Sequence, residues 1–205
     1  WFTSTLTDGG AVGQPSGDDQ LRNKRDALDA GRIEAGYAYP EQGTVGLPEQ
    51  FPLDEETGFF LGAFLAEGNV TDHYVSISNV DTTFQDRVRA FADRFDLTVN
   101  EYSNKGEFGE SHDIRLNGTV LSDFLRAACT DDGEKVVPGF ALGANDKFLR
   151  GLLDGYFSGD GNVSDSAVRA SSTTDRLIAG IALLLTRVGV YTTLGRTDDS
   201  RTLRV

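Results

Sequence analysis

The chain has a single cysteine, Cys129, and no methionine in 205 residues. One thiol forms no internal disulfide, so a packed core must hold the fold, and a reducing cytoplasm is the compartment implied. Only two histidines occur, His73 and His112, too few and too isolated for a histidine metal cluster. No apolar run is long enough to span a bilayer, and the N-terminus lacks the basic, apolar and small-residue order of a signal peptide. A membrane partner is therefore not expected. Lysine is scarce as well, present only at positions 24, 105, 135 and 147.

What the chain has in excess is acid. Formal net charge is −13, supplied mostly by Asp, while the basic side is almost all Arg. That sign is wrong for a simple nucleic-acid binder. The composition resembles that of proteins from salt-loving archaea, whose carboxylate-coated surfaces stay solvated in concentrated salt. At about 1 M salt the screening length is only about 3 Å, so global repulsion from DNA fades while close Arg–phosphate contacts persist. Net charge thus speaks to environment and only weakly against a DNA partner.

One unit is present twice. Gly58-Phe59-Phe60-Leu61-Gly62-Ala63-Phe64-Leu65-Ala66-Glu67-Gly68-Asn69-Val70 aligns without gaps on Gly151-Leu152-Leu153-Asp154-Gly155-Tyr156-Phe157-Ser158-Gly159-Asp160-Gly161-Asn162-Val163, 93 residues later. The repeat runs on through Val75 and Val168 to amphipathic helical patterns at Phe84 to Phe95 and Leu177 to Val188. Each copy reads as helix, two strands, helix, two strands, with N-caps at Asp54 and Asn145 and helix stops at Gly68 and Gly161. Predicted strands cover 74–78, 97–102 and 113–117 in the first copy, and 167–171, 190–195 and 201–205 in the second. A helix near 119–128 closes the first copy, and its counterpart is expected to be curtailed at Val205. The halves are placed at 51–134 and 135–205, after an irregular leader at 1–50 with a helix around Asp19 to Ala30.

Small residues recur every four positions along both repeated helices: Gly58, Gly62 and Ala66 in one, Gly151, Gly155 and Gly159 in the other. That spacing lines one face and lets two backbones approach closely. Two helices packed this way about a pseudo-twofold axis bring Glu67 and Asp160 to the same end. Two carboxylates at two partially negative helix C-termini repel each other and oppose both dipoles. A divalent cation resolves that conflict, and Mg²⁺ (or Mn²⁺) suits hard oxygen ligands while accepting phosphate oxygens beside one or two carboxylates.

The stretches Phe60 to Gly68 and Leu153 to Gly161 resemble the paired dodecapeptide motifs of LAGLIDADG homing endonucleases, the kind nested in archaeal inteins. The resemblance covers about residues 52 to 205. It implies an α+β fold of tandem αββαββα units, with the motif helices at the interface and antiparallel sheets forming a DNA-binding saddle. It also implies a monomer with an internal pseudo-dimer that makes staggered cuts in a double-stranded DNA site. The family's acidic position falls on Glu67 and Asp160, as metal ligands and catalytic groups. Lys135-Val136-Val137-Pro138 resembles the lysine block preceding the second motif in intein endonucleases, making Lys135 a candidate for polarising the attacking water or scissile phosphate. Trp1 is not a splicing nucleophile and no His-Asn ending is present, so the splicing parts are expected to be missing.

Arg115, Arg169, Arg196, Arg201 and Arg204 lie on predicted strands, where they face either DNA or a plain solvent surface. Two other functions stay open at this point. One is a catalytically inactive nucleic-acid binder on the same fold, a decayed intein insert or an RNA maturase. The other is an acidic protein-interaction domain, which accounts for the charge but not for the paired motifs.

Overall fold

The computed structural model describes residues 20–21, 31–106, 109–164, 167–196 and 200–205. Gln20–Leu21 (β1) is a short strand, and the rest of the helix predicted over Asp19 to Ala30 lies outside the described residues. Gly31–Glu34 (β2), Tyr37–Pro40 (β3) and Leu47–Pro48 (β4) form an antiparallel sheet where the sequence suggested irregular chain. Its first turn uses Ala35 at φ 51° and Gly36 at φ 81°. Those are the signs a two-residue primed hairpin needs, but Ala-Gly lacks the usual Asn or Asp signal. Buried Ala38 and Leu47 anchor this sheet, and Phe51–Pro52 (β5) pairs with β1.

Asp54 caps the first motif helix, Glu55–Glu67 (α1), accepting from the Thr57 amide at 3.0 Å. Gly68–Val70 (β6), Tyr74–Ser78 (β7), Thr82–Arg94 (α2), Thr98–Gly106 (β8), Gly109–Asn117 (β9) and Thr119–Cys129 (α3) complete the first copy. Thr130–Asp131 (β10) and Glu134–Lys135 (β11) make a small hairpin turned by Asp132-Gly133, and a 3-10 helix follows at Gly139–Gly143. The second copy runs through Asp146–Asp160 (α4), Asn162–Ser164 (β12), Ala167–Ser172 (β13), Asp175–Arg187 (α5), Thr193–Arg196 (β14) and Arg201–Arg204 (β15). The two four-stranded sheets have matching antiparallel orders, β6-β7-β9-β8 and β12-β13-β15-β14. The mixed α+β fold expected from the repeat is the fold found.

Alternation places Val75, Ile77, Ile114 and Leu116 on the buried face of the first sheet. Phe51, Phe60, Phe91, Phe95 and Phe124 pack beneath it, with the Phe60 and Phe91 rings stacked at 3.7 Å. Burying each such ring contributes about 1.5–3 kcal/mol. The second sheet and α5 pack aliphatic residues, Leu177, Ile178, Ile181, Leu184, Leu185 and Leu203, while Phe140, Phe148 and Tyr156 are buried along and before α4.

Between the halves, α1 and α4 meet backbone to backbone. A Cβ at Gly58 would overlap the Phe148 carbonyl oxygen, and one at Gly151 the Glu55 carbonyl oxygen. Gly62 stands in the same way over the Leu152 oxygen, and Gly155 over the Phe59 oxygen. Each pair exchanges roles under the 93-residue shift, which is what twofold packing requires. The missing side chains outweigh the cost of about 0.5–1 kcal/mol per helix-interior glycine because they admit this approach.

Candidate active site at the paired helix ends

The glycine rungs fix where the two helices end. At the last rung, a Cβ on Gly159 would stand 2.6 Å from Ala66 Cβ and 3.0 Å from Glu67 Cγ, so the Glu67 side chain crosses the partner helix beside Asp160. Gly68 and Gly161 stop both helices, their amides still donating to the Phe64 and Phe157 carbonyls, and both chains turn at once into strands. The acids are thus held on the final turn of two rigid, capped helices. Asn145 adds to this: it accepts from the Phe148 amide at 3.0 Å and donates through Nδ2 to the Leu53 carbonyl at 2.6 Å, locking the start of α4 to the first half.

Both acids are half-buried, and burial raises both above the ordinary carboxylate range. Asp160 is pushed up to about 6, first by desolvation and then by the charge of Glu67, with Lys135 acting in the opposite sense. Glu67 is raised by desolvation and lowered in part by Lys135. The Coulombic coupling of all three groups places them in one constellation.

Lys135 reaches the site from β11. Its Nζ donates to the carbonyl oxygens of Leu65 and Ala66, each at 3.1 Å, and lies 5.6 Å from the centre of the Phe64 ring. The ammonium therefore caps the free carbonyls at the α1 C-terminus, where a cation is favoured. Burial lowers its pKa, against the pull of Asp160 and Glu67. The position 93 residues earlier is Gln42, exposed in the loop before β4, so the repeat supplies no equivalent lysine there among the described residues. Cys129 is fully buried nearby, its thiol pushed up to about 12 by desolvation, and serves as core.

No third Asp, Glu, His or Cys joins the acids to complete a metal-binding group among the described residues. Two carboxylates alone fit an ion that fills its remaining positions with water and phosphate oxygens, as Mg²⁺ does, and not one needing a full protein cage. A cleft of about 600 Å³ between α3, the β10–β11 hairpin and α5 contains none of these residues.

The strand arginines divide. Arg115 on β9, and Arg169 on β13 with Arg204 on β15, lie on the sheet faces turned away from the cores. Arg201 lies on the helix side, its Nε against Asp175 at the start of α5 and its Nη2 donating to the same carboxylate at 3.3 Å. Arg196, directly opposite Arg201 in register, shares that side. The structure therefore groups three of the five arginines and leaves Arg196 and Arg201 apart. Sequence reasoning missed Tyr74 and Tyr102, which flank Arg115, although strand alternation places them on its face. It also missed Tyr156, a fully buried phenol without a hydrogen-bond partner, one helical turn before Asp160.

Comparison with known proteins agrees with this fold. The family described as LAGLIDADG-like domain matches residues 54–127 and 147–205. A stretch of the DNA-directed RNA polymerase subunit Rpo1C of Methanocaldococcus jannaschii is 42% identical over 162 residues, covering 78% of this chain. The chain spans 19% of that protein's length. The homing endonuclease I-DmoI, solved in complex with DNA and Mn, superposes with a TM-score of 0.57 over 74% of this chain and 89% of its own, at 12% identity. The N-terminal LAGLIDADG domain of DUF199/WhiA superposes with a TM-score of 0.54 over 76% of this chain and 77% of its own, also at 12% identity. At such identity these structures speak to fold alone. With both copies of the repeat matched over well more than half of its length, the chain belongs to the LAGLIDADG-like domain family.

Proposed function

We propose that this chain is a site-specific DNA endonuclease that cuts both strands of a double-stranded target in a staggered fashion with Mg²⁺ or Mn²⁺. One observation carries the reading: the glycine rungs deliver Glu67 and Asp160 to a single point, with Lys135 beside them. Structures of I-DmoI with target DNA and with Mn, Ca or Mg support the same choice of partner and ion.

Glu67 and Asp160 would hold the metal, which supplies activation of water and neutralisation of charge on the phosphate oxygens. The remaining work falls to the chain itself. Before binding, Asp160 retains its proton up to about pH 6 and must release it to accept the ion. Lys135, kept in place by the Leu65 and Ala66 carbonyls, offers its remaining N–H to the scissile phosphate or the attacking water. The capped helices hold these groups without reorganisation, which is the main requirement for stabilising a developing charge.

The net charge of −13 is compatible with this reading because of where acid lies. Exposed Glu55, Glu56, Asp86, Asp93, Asp96, Asp131, Asp132, Asp146 and Asp154 occupy helices, linkers and the β10–β11 hairpin. The outward sheet faces carry Arg115, Arg169 and Arg204. The 19% share of a polymerase subunit supports an insert carried within a host polypeptide, of intein type and archaeal origin. The halves are taken as 51–134 and 135–205, acting as one monomer with an internal pseudo-dimer.

The test is a duplex spanning the uninterrupted insertion point of the host gene, incubated in high salt with Mg²⁺. Cleavage of both strands, lost in Glu67→Gln and in Asp160→Asn, is the expected result. Tight binding without nicking by the unaltered protein would favour the inactive binder and end the claim of catalysis.

A further inference from the structure

The two sheets carry matching rows of residues on their outward faces, and the rows differ in chemistry. Register places Asn69, Ser76, Arg115 and Asn100 side by side across the first sheet. The corresponding row of the second sheet is Asn162, Arg169, Arg204 and Thr193. Asn162, Arg169 and Thr193 each stand 93 positions after their counterparts, so the rows are equivalent by repeat as well as by topology.

In the first row the one cation is fixed. The Arg115 guanidinium carbon lies 4.2 Å from the Tyr102 ring centre and 5.0 Å from that of Tyr74. Its Nε is buried without a hydrogen-bond partner, and no carboxylate pairs with it among the described residues. Around it stand neutral groups: Asn100, Asn117, Ser76 and Asn69, with Asn117 Nδ2 donating to Asn100 Oδ1 at 2.8 Å. The acid on this face, Asp113, accepts from the Ser78 hydroxyl instead of pairing with Arg115. A guanidinium in contact with two rings has less freedom to lose on binding than one free in solvent. Its donor fork matches the paired acceptors O6 and N7 of guanine in the major groove.

In the second row two cations face each other unaided. Arg169 and Arg204 are directly opposite in register and both exposed, and among the described residues no ring or carboxylate pairs with either. Like charges directly opposite on a sheet destabilise it. An anion between or beside them removes that cost, and a pair of exposed, like-charged guanidinia suits phosphate oxygens more than a base edge.

Resting on the DNA-endonuclease reading, we propose that the two faces divide recognition. Arg115 selects a guanine within the half-site lying on the first sheet, and Arg169 and Arg204 grip phosphates on the second without reading sequence. The experiment selects bound duplexes from a randomised pool with the full chain in Ca²⁺, then repeats the selection with Arg115→Ala, Arg115→Lys, Arg169→Ala and Arg204→Ala. Circular dichroism melts confirm that each variant is folded. Arg115→Ala should erase one G·C position and weaken binding to the guanine-containing site by about 10- to 100-fold. Arg115→Lys should keep charge but lose that preference. Arg169→Ala and Arg204→Ala should leave the selected motif intact, weaken all duplexes alike and each lower the slope of log affinity against log salt by about 1. An unchanged motif in Arg115→Ala, or a base preference lost in Arg169→Ala, overturns the division of labour alone. No enrichment by the unaltered protein overturns the DNA reading beneath it as well.

Discussion

The two halves of this molecule share one topology and identical helix-to-helix contacts, and they differ in what fills their cores and lines their outward faces. At the α1–α4 interface, Gly58 and Gly151, then Gly62 and Gly155, exchange identical contacts with the opposite helix. Away from it, a cluster of phenylalanine rings packs under the first sheet, whereas leucines and isoleucines of α5 pack under the second. Among the described residues only one half supplies a lysine to the acids, and the outward rows carry one arginine set beside two rings against two exposed ones. Close backbone approach admits a single solution, so both copies keep it. A core tolerates any apolar set of suitable volume, and a binding face is free to follow two unlike halves of a target.

Breaking the symmetric part should have the largest effect. Gly62→Leu and Gly155→Leu each drive a side chain into a backbone carbonyl, and each should lower unfolding free energy by about 3 kcal/mol or more. Denaturant titration of both should give nearly equal losses. A large loss in one and none in the other would mean that the interface is not twofold.

The asymmetric part should show next. Lys135→Met removes the cation from one side, and its expected effect is a fall in cleavage on the order of 100-fold, unequal between the two strands. Gln42→Ala, at the equivalent repeat position, should leave both strands untouched. Strand-resolved labelling of the duplex reads this directly, and equal slowing of both strands would mean that Lys135 serves the whole centre.

The smallest effect is a pH dependence of the metal-free protein. Asp160 holds its proton up to about 6 when folded, against an ordinary aspartate value of 3.8. The native state therefore binds this proton more tightly than the unfolded state, and stability contributed here falls as pH rises from about 4 to about 6. Divalent metal should offset that loss above pH 6 and bind progressively less below it. Melting curves across that window, with and without Mg²⁺, distinguish this slope from the opposite one given by Glu101, which Arg89 holds down at about 2.

Much of this was legible in the sequence because a gapless repeat reports symmetry. The 93-residue offset carried the motif helices, their caps at Asp54 and Asn145, and the convergence of their ends. Strand lengths were less legible: β8 and β9 run to Gly106 and back from Gly109, well past the apolar residues that signalled them. Their outer ends are held by polar pairs, His112 with Glu101 at 2.7 Å and with Ser103 at 2.8 Å, which leave no hydrophobic alternation. The sheet at 31–48 was hidden because its turn is Ala-Gly and its buried contribution rests on Ala38 and Leu47. The Asp132-Gly133 turn that sets up the strand presenting Lys135 carries a hairpin signal that the sequence reading did not use. Which strand arginines share a face depended on register, and one helix-side acid, Asp175, decided the place of Arg201.

The central claim is that the glycine rungs make one metal centre from two acids. Thermal melting at pH 7 with and without saturating Mg²⁺ tests it most directly, since an ion that binds only the assembled pair must raise the melting temperature. The account predicts a rise in the unaltered protein that disappears in Glu67→Gln and equally in Asp160→Asn. No rise in the unaltered protein, or a rise that survives loss of either acid, would contradict it.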